Sequence, residues 1–129
     1  MQSGVIAKGK DNHFLICLVL LSRREWNKIM RLALYQPDIP QNTGTLLRTA
    51  ACLGVGVDII EPCGFIFSDK QLKRSGMDYL DRVDLVRHSS WQAFRGSDIA
   101  QAGRLVLLST RAETPYTEID YLPSDILMV

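Results

Sequence analysis

The stretch RLALYQPDIPQNTGTLLRTAACLGVGVDIIEP, residues 31–62, contains the pattern that decides the fold. Its first five residues, 31–35, are a short apolar run that ends before two prolines, which predicts a strand. Residues 42–53 carry apolar side chains at spacings of three and four, which predicts an amphipathic helix. Residues 56–62, rich in β-branched side chains and stopped by a proline, predict a second strand. A strand, a helix and another strand in succession are typical of a parallel β-sheet.

The same alternation continues to the last residue. The further predicted elements are a short helix at 68–76, a third strand at 82–88, a short helix at 89–97, a fourth strand at 103–110 and a fifth at 124–129. The fourth strand is almost continuously apolar, as expected when both faces of a sheet are buried. We therefore predict an α/β fold, an open parallel sheet with helices on both faces. The loops after its strands should lie at one edge, where such sheets bind ligands.

Composition sets wide limits on function. The chain has 129 residues, 47% of them hydrophobic and 22% charged, which fits one domain with a real core. A formal net charge of +1 neither indicates nor excludes nucleic-acid binding, because a local basic patch can contact phosphate on a neutral protein. Three cysteines without CxxC spacing argue against a disulfide framework or a zinc site. A reducing, cytoplasmic location is the simpler interpretation.

The first 29 residues differ from the rest. The run HFLICLVLL, residues 13–21, loosely resembles the core of a signal peptide, but it is too short to span a bilayer. Arg23 and Arg24 follow it where small residues would mark a cleavage site. Met30 directly precedes the first predicted strand, so we expect residues 1–29 to be an N-terminal extension that is not native to the domain. The alternative is a real, loosely packed N-terminal strand or helix.

The helix of residues 42–53 has an unusual beginning. Asn42 or Thr43 can cap it and Gly54 can close it, while Arg48 lies less than two turns from its predicted start. A helix N-terminus attracts anions, and an arginine close by adds a forked donor suited to phosphate. From the residues alone this is a candidate phosphate site. An ordinary capped helix with Arg48 on its solvated side remains the alternative.

Three segments, in this order and spacing, carry a family resemblance: LYQPDIPQNTGTLLRTAACLG at 34–54, IIEPCGF at 59–65 and DKQLKRSGMDYLD at 69–81. From about residue 30 to residue 129 the chain resembles the TrmL-type tRNA ribose 2'-O-methyltransferases of the SPOUT superfamily. The resemblance implies the α/β-knot form of the parallel sheet and S-adenosyl-L-methionine as methyl donor. It also implies a tRNA substrate, methylated at the ribose of the anticodon wobble nucleotide, and a cytoplasmic homodimer with no metal and no membrane association.

The resemblance also assigns residues. Asn42 and Arg48 occupy the positions of the asparagine and the catalytic arginine in the family's first motif. The fourth-strand end, with Leu108, Ser109 and Thr110, corresponds to one wall of the cofactor pocket. The loop after the second helix, residues 74–79, corresponds to a segment near the RNA and gives Arg74 and Tyr79 as candidate RNA-binding residues, although Tyr79 could equally lie at the edge of the core. Lys73 joins them because it belongs to a local basic run that could meet tRNA phosphates; nearby aspartates dilute that run, so an ordinary solvated surface is the alternative. We expect His88, which follows a strand, to be a surface or loop residue rather than a catalytic base.

The chain departs from the family pattern at its last residue. Family members continue beyond the strand that matches residues 125–129 into segments that form the knot and hold most cofactor contacts. We therefore expect residues 30–129 to be a SPOUT domain truncated at the C-terminus, with the knot segment missing, and inactive by itself. The alternative function is a non-catalytic fragment that at most binds RNA or pairs with another subunit. A nucleotide-binding α/β module unrelated to methylation would rest only on fold analogy.

Overall fold

The computed structural model of the chain describes residues 4–8, 30–68, 70 and 78–129. The strands in this part of the chain are β1 (Val5–Lys8), β2 (Arg31–Tyr35), β3 (Gly56–Ile60), β4 (Leu85–His88), β5 (Leu105–Ser109) and β6 (Ile126–Met128). The helices there are α1 (Pro40–Leu53), α2 (Trp91–Arg95) and α3 (Asp98–Ala102), with 3₁₀ turns at Asp78–Arg82 and Tyr116–Glu118.

All these strands run parallel in one sheet, in the order β1-β5-β6-β2-β3-β4. The side chains of α1 pack with one face of the sheet, and those of α2 and α3 pack with the other. The predicted α/β class, an open parallel sheet with helices on both faces, is therefore confirmed. The five strands predicted after residue 30 are all present; β2 has the predicted bounds, and the other four are shorter than the sequence pattern indicated.

Alternation along the strands creates two cores. In β2, Leu32 and Leu34 point to the face where Leu47 of α1 packs. Ala33, between them, points to the opposite face and joins a smaller cluster around Phe94, which is fully buried. Because successive side chains of a strand point to opposite faces, one central strand serves both cores. The packing of Leu47 on Leu32 and Leu34 holds α1 against β2.

Residues 5–8 of the expected N-terminal extension form a strand. Val5–Lys8 pairs in parallel with β5, from Val5 opposite Val106 to Lys8 opposite Ser109, and forms one edge of the sheet. Ile6 remains half exposed. Residues 9–29, which include the apolar run, lie outside the described residues. The division of the chain at residue 30 remains a prediction.

The start of α1 differs from the prediction. The helix begins at Pro40, so its N-cap is Ile39, whose side chain cannot accept a hydrogen bond, and neither Asn42 nor Thr43 caps it. Proline is favourable at this position because its fixed φ suits the first turn and its missing N–H would have been unpaired. The predicted end is confirmed, since Gly54 adopts a left-handed conformation at φ 68° and its N–H donates to the Ala50 carbonyl.

The segment after β4 forms two short helices where the sequence predicted one. Ser90 caps α2 by accepting from the Ala93 N–H at 3.0 Å, and Ser97 caps α3 by accepting from the Ala100 N–H at 3.3 Å. A second serine cap thus restarts the helix after Gly96. The helix predicted at 68–76 lies largely outside the described residues.

A buried polar network links β2, β3 and β4 beneath α2. Asp58 is fully buried and accepts from Arg31 Nε at 2.7 Å, and its other oxygen lies 2.8 Å from His88 Nε2. Burial alone would lower the pKa of Arg31, but hydrogen bonds with Asp58 and Asp84 outweigh it and raise that pKa. His88 is buried, with its ring edge against Phe94 at 5.1 Å. The expectation of a surface or loop histidine was therefore wrong, because a carboxylate distant in sequence satisfies it inside the fold.

Candidate functional site

The C-terminal ends of the parallel strands meet at one edge of the sheet. The backbone N–H of Tyr35 donates to the carbonyl of Val129 at 2.8 Å, and the N–H of Gln36 donates to that of Ile60 at 2.9 Å. These two hydrogen bonds align the C-terminal ends of β6, β2 and β3 at the same edge of the sheet. The loop that leads from β2 into α1, the helix of Asn42 and Arg48, leaves this edge, and β5 ends with Ser109 at the same edge, before Thr110. Parallel α/β sheets bind ligands at this position.

The loop from β2 to α1 is tightly constrained. Gln36 has φ 45°, an uncommon left-handed conformation for a residue other than glycine. The N–H of Gly64, in the loop after β3, donates to the Pro37 carbonyl at 2.9 Å. A Cβ atom at Gly64 would lie 2.8 Å from the Cα atom of Asp38, too close for two carbon atoms. The loop after β3 therefore fixes the direction in which the chain enters α1.

The first turn of α1 is open to an anion. No side chain caps it, and no acidic residue lies in it. Asn42 is in this turn and is exposed. The aligned peptide dipoles place a partial positive charge of about half an elementary charge at such an end. A phosphate or carboxylate would be stabilised there by backbone N–H groups, with the Asn42 amide beside them.

Arg48 is exposed on the same helix but on a different side. It lies eight residues after Pro40, which is just over two turns from the start and slightly farther than predicted. Six residues separate it from Asn42, about 9 Å along the axis and about 120° around it. Leu47 and Ala50, on the buried side of the helix, pack on the sheet and so fix the positions of Asn42 and Arg48. Asn42 and Arg48 therefore do not converge on one atom but can contact two points of an extended ligand.

The end of β5 supplies the other part of the edge. The side chain of Leu108 is buried in the core, so only its backbone can face a ligand. Ser109 is partly buried, and its Oγ accepts from the N–H of Arg111 at 3.2 Å. Thr110 is exposed. Strand β6 separates β5 from β2, so these ends are about 10 Å apart, close enough for one small molecule to touch both.

The candidate RNA-binding residues can be placed only in part. Lys73 and Arg74 lie outside the described residues. Tyr79 belongs to the 3₁₀ turn Asp78–Arg82, which packs against α1. The turn that contains Tyr79 therefore lies beside the helix of Asn42 and Arg48.

Sequence reasoning missed two features of this edge. The first is Gly64, although glycine after the Pro62 turn was a signal for a close backbone approach. The second is the contact between Tyr35, at the end of β2, and Trp91, at the start of α2, whose ring centroids are 5.7 Å apart. No sequence pattern joins these two rings, because the pairing depends on β4 lying two strands away from β2.

The described residues also bear on membrane spans and metal sites. Among the described residues no helix combines the length and the apolar character that a membrane span requires. Within the same ranges, no cluster of three or more histidine, cysteine, aspartate or glutamate side chains is placed to hold a metal ion.

Comparison with known proteins gives consistent matches. The model of the SpoU rRNA Methylase family matches residues 29–129. A tRNA (cytidine(34)-2'-O)-methyltransferase of Beijerinckia indica subsp. indica is 60% identical over 98 residues, which cover 76% of this chain and 61% of that protein. A protein of the same name from Ancylobacter novellus is 44% identical over 100 residues, 78% of this chain and 63% of its own length. The chain therefore spans about three-fifths of the length of these curated relatives.

A solved structure agrees with these matches. It is described as giving structural insights into the 2-OH methylation of C/U34 on tRNA. It superposes with a TM-score of 0.70 and 40% identity, over 79% of this chain and 66% of that one.

Proposed function

This chain belongs to the SpoU rRNA Methylase family, and we propose that its protein methylates the ribose 2'-hydroxyl of a tRNA wobble nucleotide, with S-adenosyl-L-methionine as donor. The observation that supports the proposal is the sheet edge, where β2 leads into the uncapped first turn of α1 with Asn42 and only β6 separates β2 from β5, which ends at Ser109. The relatives' names give the reaction and the position of the nucleotide.

The residues at the end of β5 fit a nucleoside-bearing cofactor. The backbone of Leu108 and the hydroxyls of Ser109 and Thr110 offer donors and acceptors for ribose or amino-acid groups, and the apolar core lies directly beneath them. When bound, the cofactor supplies an activated sulfonium methyl group. The role of the chain is then to bring the ribose hydroxyl into line with that methyl, because positioning can provide much of the rate.

Arg48 is the candidate catalytic residue. A guanidinium remains protonated in proteins, so a fixed positive charge is a better role for it than a general base. From the exposed side of α1 it would hold a phosphate next to the target nucleotide and stabilise charge that develops on the ribose oxygen. Asn42, about 9 Å away along the helix, would bind the ribose or the adjacent phosphate at the helix start.

The remaining partners belong to the same proposal. Lys73 and Arg74 would contact tRNA phosphates, and Tyr79 would lie beside a base. A homodimer in the cytoplasm is the expected setting. The alternative, a chain that binds RNA or pairs with another subunit without transferring a methyl group, is decided by the experiment below.

A chimera tests the proposal without depending on the ends of this chain. Residues 30–129 replace the matching segment of the Beijerinckia indica relative, and transfer of tritium from labelled S-adenosyl-L-methionine to tRNA is measured. We expect transfer by the chimera and a loss of about 100-fold or more in Arg48→Ala, the size typical of removing one transition-state contact. Cofactor affinity, measured by calorimetry, should change much less. Transfer unaffected by Arg48→Ala would contradict the assignment of Arg48, and a folded chimera that binds tRNA without transfer would favour the alternative.

A further inference from the structure

A cluster of two aromatic rings and a guanidinium lies on the face of the sheet opposite α1. Tyr35 ends β2, and Trp91 and Arg95 occupy one side of α2. The Tyr35 and Trp91 rings meet edge to face at 88°, and Arg95 Cζ lies 5.8 Å from the centroid of the Trp91 ring. We propose that Tyr35, Trp91 and Arg95 form a stacking surface for an unpaired RNA base and its adjoining phosphate. The inference rests on the proposed RNA substrate.

One side of the cluster packs on the protein core, and its other side is exposed to solvent. Phe94, fully buried, packs against Trp91 with centroids 5.7 Å apart and holds the indole in place. Trp91 itself is only partly buried, and Tyr35 is 43% exposed. Among the described residues the Tyr35 hydroxyl makes no hydrogen bond, so it can serve as donor or acceptor to a ligand.

Arg95 differs from the arginines that stabilise the fold. Arg31 is bound by Asp58, Arg87 by Glu61 and Arg104 by Asp125. Arg95 makes no ion pair within the described part of the chain, and its only recorded side-chain contact there is with the indole of Trp91. A guanidinium stacked on an aromatic ring keeps its N–H donors directed outward, where a phosphate can accept from them. Its charge therefore complements a phosphate.

The chemistry of the cluster fits single-stranded RNA. Unpaired bases stack on aromatic rings and arginine planes, and the phosphates that link them are held by arginine. Tyr35 is adjacent to Gln36, whose loop leads into α1 and Asn42. RNA that crosses the sheet edge from α1 would meet the cluster next, so a base beside the target nucleotide is the expected occupant.

Trp91 provides the readout. The chain has two tryptophans, Trp26 and Trp91, so in a Trp26→Phe background the emission reports on Trp91 alone. The probes are a single-stranded oligouridylate and an abasic phosphodiester oligomer of equal charge. We expect the oligouridylate, but not the abasic oligomer, to quench Trp91. Tyr35→Ala should weaken oligouridylate binding about 5-fold to 150-fold, the range for loss of one stacked base.

Arg95→Gln tests the phosphate contact. It should weaken binding and reduce the slope of log affinity against log salt by about 0.7, the value for one phosphate contact on a single strand. Gln92→Ala, an exposed position on the same helix, is the matched control and should leave both quantities unchanged. Oligouridylate binding without quenching of Trp91 would overturn the stacking surface and leave the proposed methylation intact. Absence of oligouridylate binding would also overturn the stacking surface, whereas the proposed methylation is decided separately by transfer to tRNA in the chimera. Equal quenching by the abasic oligomer would show a contact with phosphate alone and refute base stacking.

Discussion

Gly64→Ala tests whether the loop after β3 positions α1, the helix that carries the proposed catalytic residue Arg48. The new Cβ would lie 2.8 Å from both the Cα and Cβ atoms of Asp38, whereas carbon atoms pack best at about 3.5–4.0 Å. The loop that enters α1 must therefore move by about 1 Å. Overpacking of this kind typically costs about 1–3 kcal/mol. Because Asp38 is exposed and the loop can move outward, we expect the lower half of that range, a fall of about 4–8 °C in melting temperature.

The effect on methyl transfer should be larger than the effect on stability. A displacement of about 1 Å at a positioned group can cost about 100-fold in rate. In the chimera we expect Gly64→Ala to lose transfer to that extent while it stays folded at the assay temperature. Gly96→Ala is the control, because its Cβ would meet the Gln92 carbonyl oxygen at an ordinary 3.4 Å. Normal transfer by a folded Gly64→Ala protein would refute the idea that this contact positions α1.

Four further changes have defined outcomes. Asp58→Asn should destabilise the chain by about 3 kcal/mol in urea unfolding, because it removes the buried partner of a charged side chain; a change below 1 kcal/mol would contradict this. Leu47→Ala should lower the unfolding free energy by about 2–5 kcal/mol, and Leu122→Ala, at an exposed leucine, serves as its control. Removal of residues 1–29 should lower the melting temperature by a few degrees at most, because β1 is an edge strand, and a large fall would make it part of the core. In a Cys17→Ser background Cys63 should react with iodoacetamide more slowly than exposed Cys52, because burial and the nearby Glu61 raise the pKa of the Cys63 thiol and reduce its thiolate fraction; equal rates by peptide mass spectrometry would contradict that.

Local patterns predicted the order of elements and the fold class because most strands after residue 30 are short, largely apolar runs bounded by turn residues. The end of α1 was equally readable, since only glycine readily adopts the left-handed conformation found at Gly54. The start was misplaced because Asn42 and Thr43 are good caps by type. Pro40 was the better signal, as proline favours the first helical position.

Long-range contacts account for what the sequence did not predict. His88 is buried because Asp58, thirty residues earlier, lies beside it on the neighbouring strand. The parallel pairing of Val5–Lys8 with β5 joins segments about a hundred residues apart. The Tyr35–Trp91 contact likewise depends on strand order, which no local pattern encodes. Of the predicted site, Asn42, Ser109 and Thr110 lie along one sheet edge, while the contribution of Lys73 and Arg74 remains a prediction.

The most direct test of the central claim is to locate the methyl group that the chimera adds. Unmodified tRNA is incubated with S-adenosyl-L-methionine and the chimera, digested with nuclease, and the fragments are analysed by mass spectrometry. We predict one added methyl on the ribose of nucleotide 34, the position given in the names of the relatives, and none in the Arg48→Ala variant. Methylation of a base, or of a ribose elsewhere in the tRNA, would contradict the function proposed for this sheet edge.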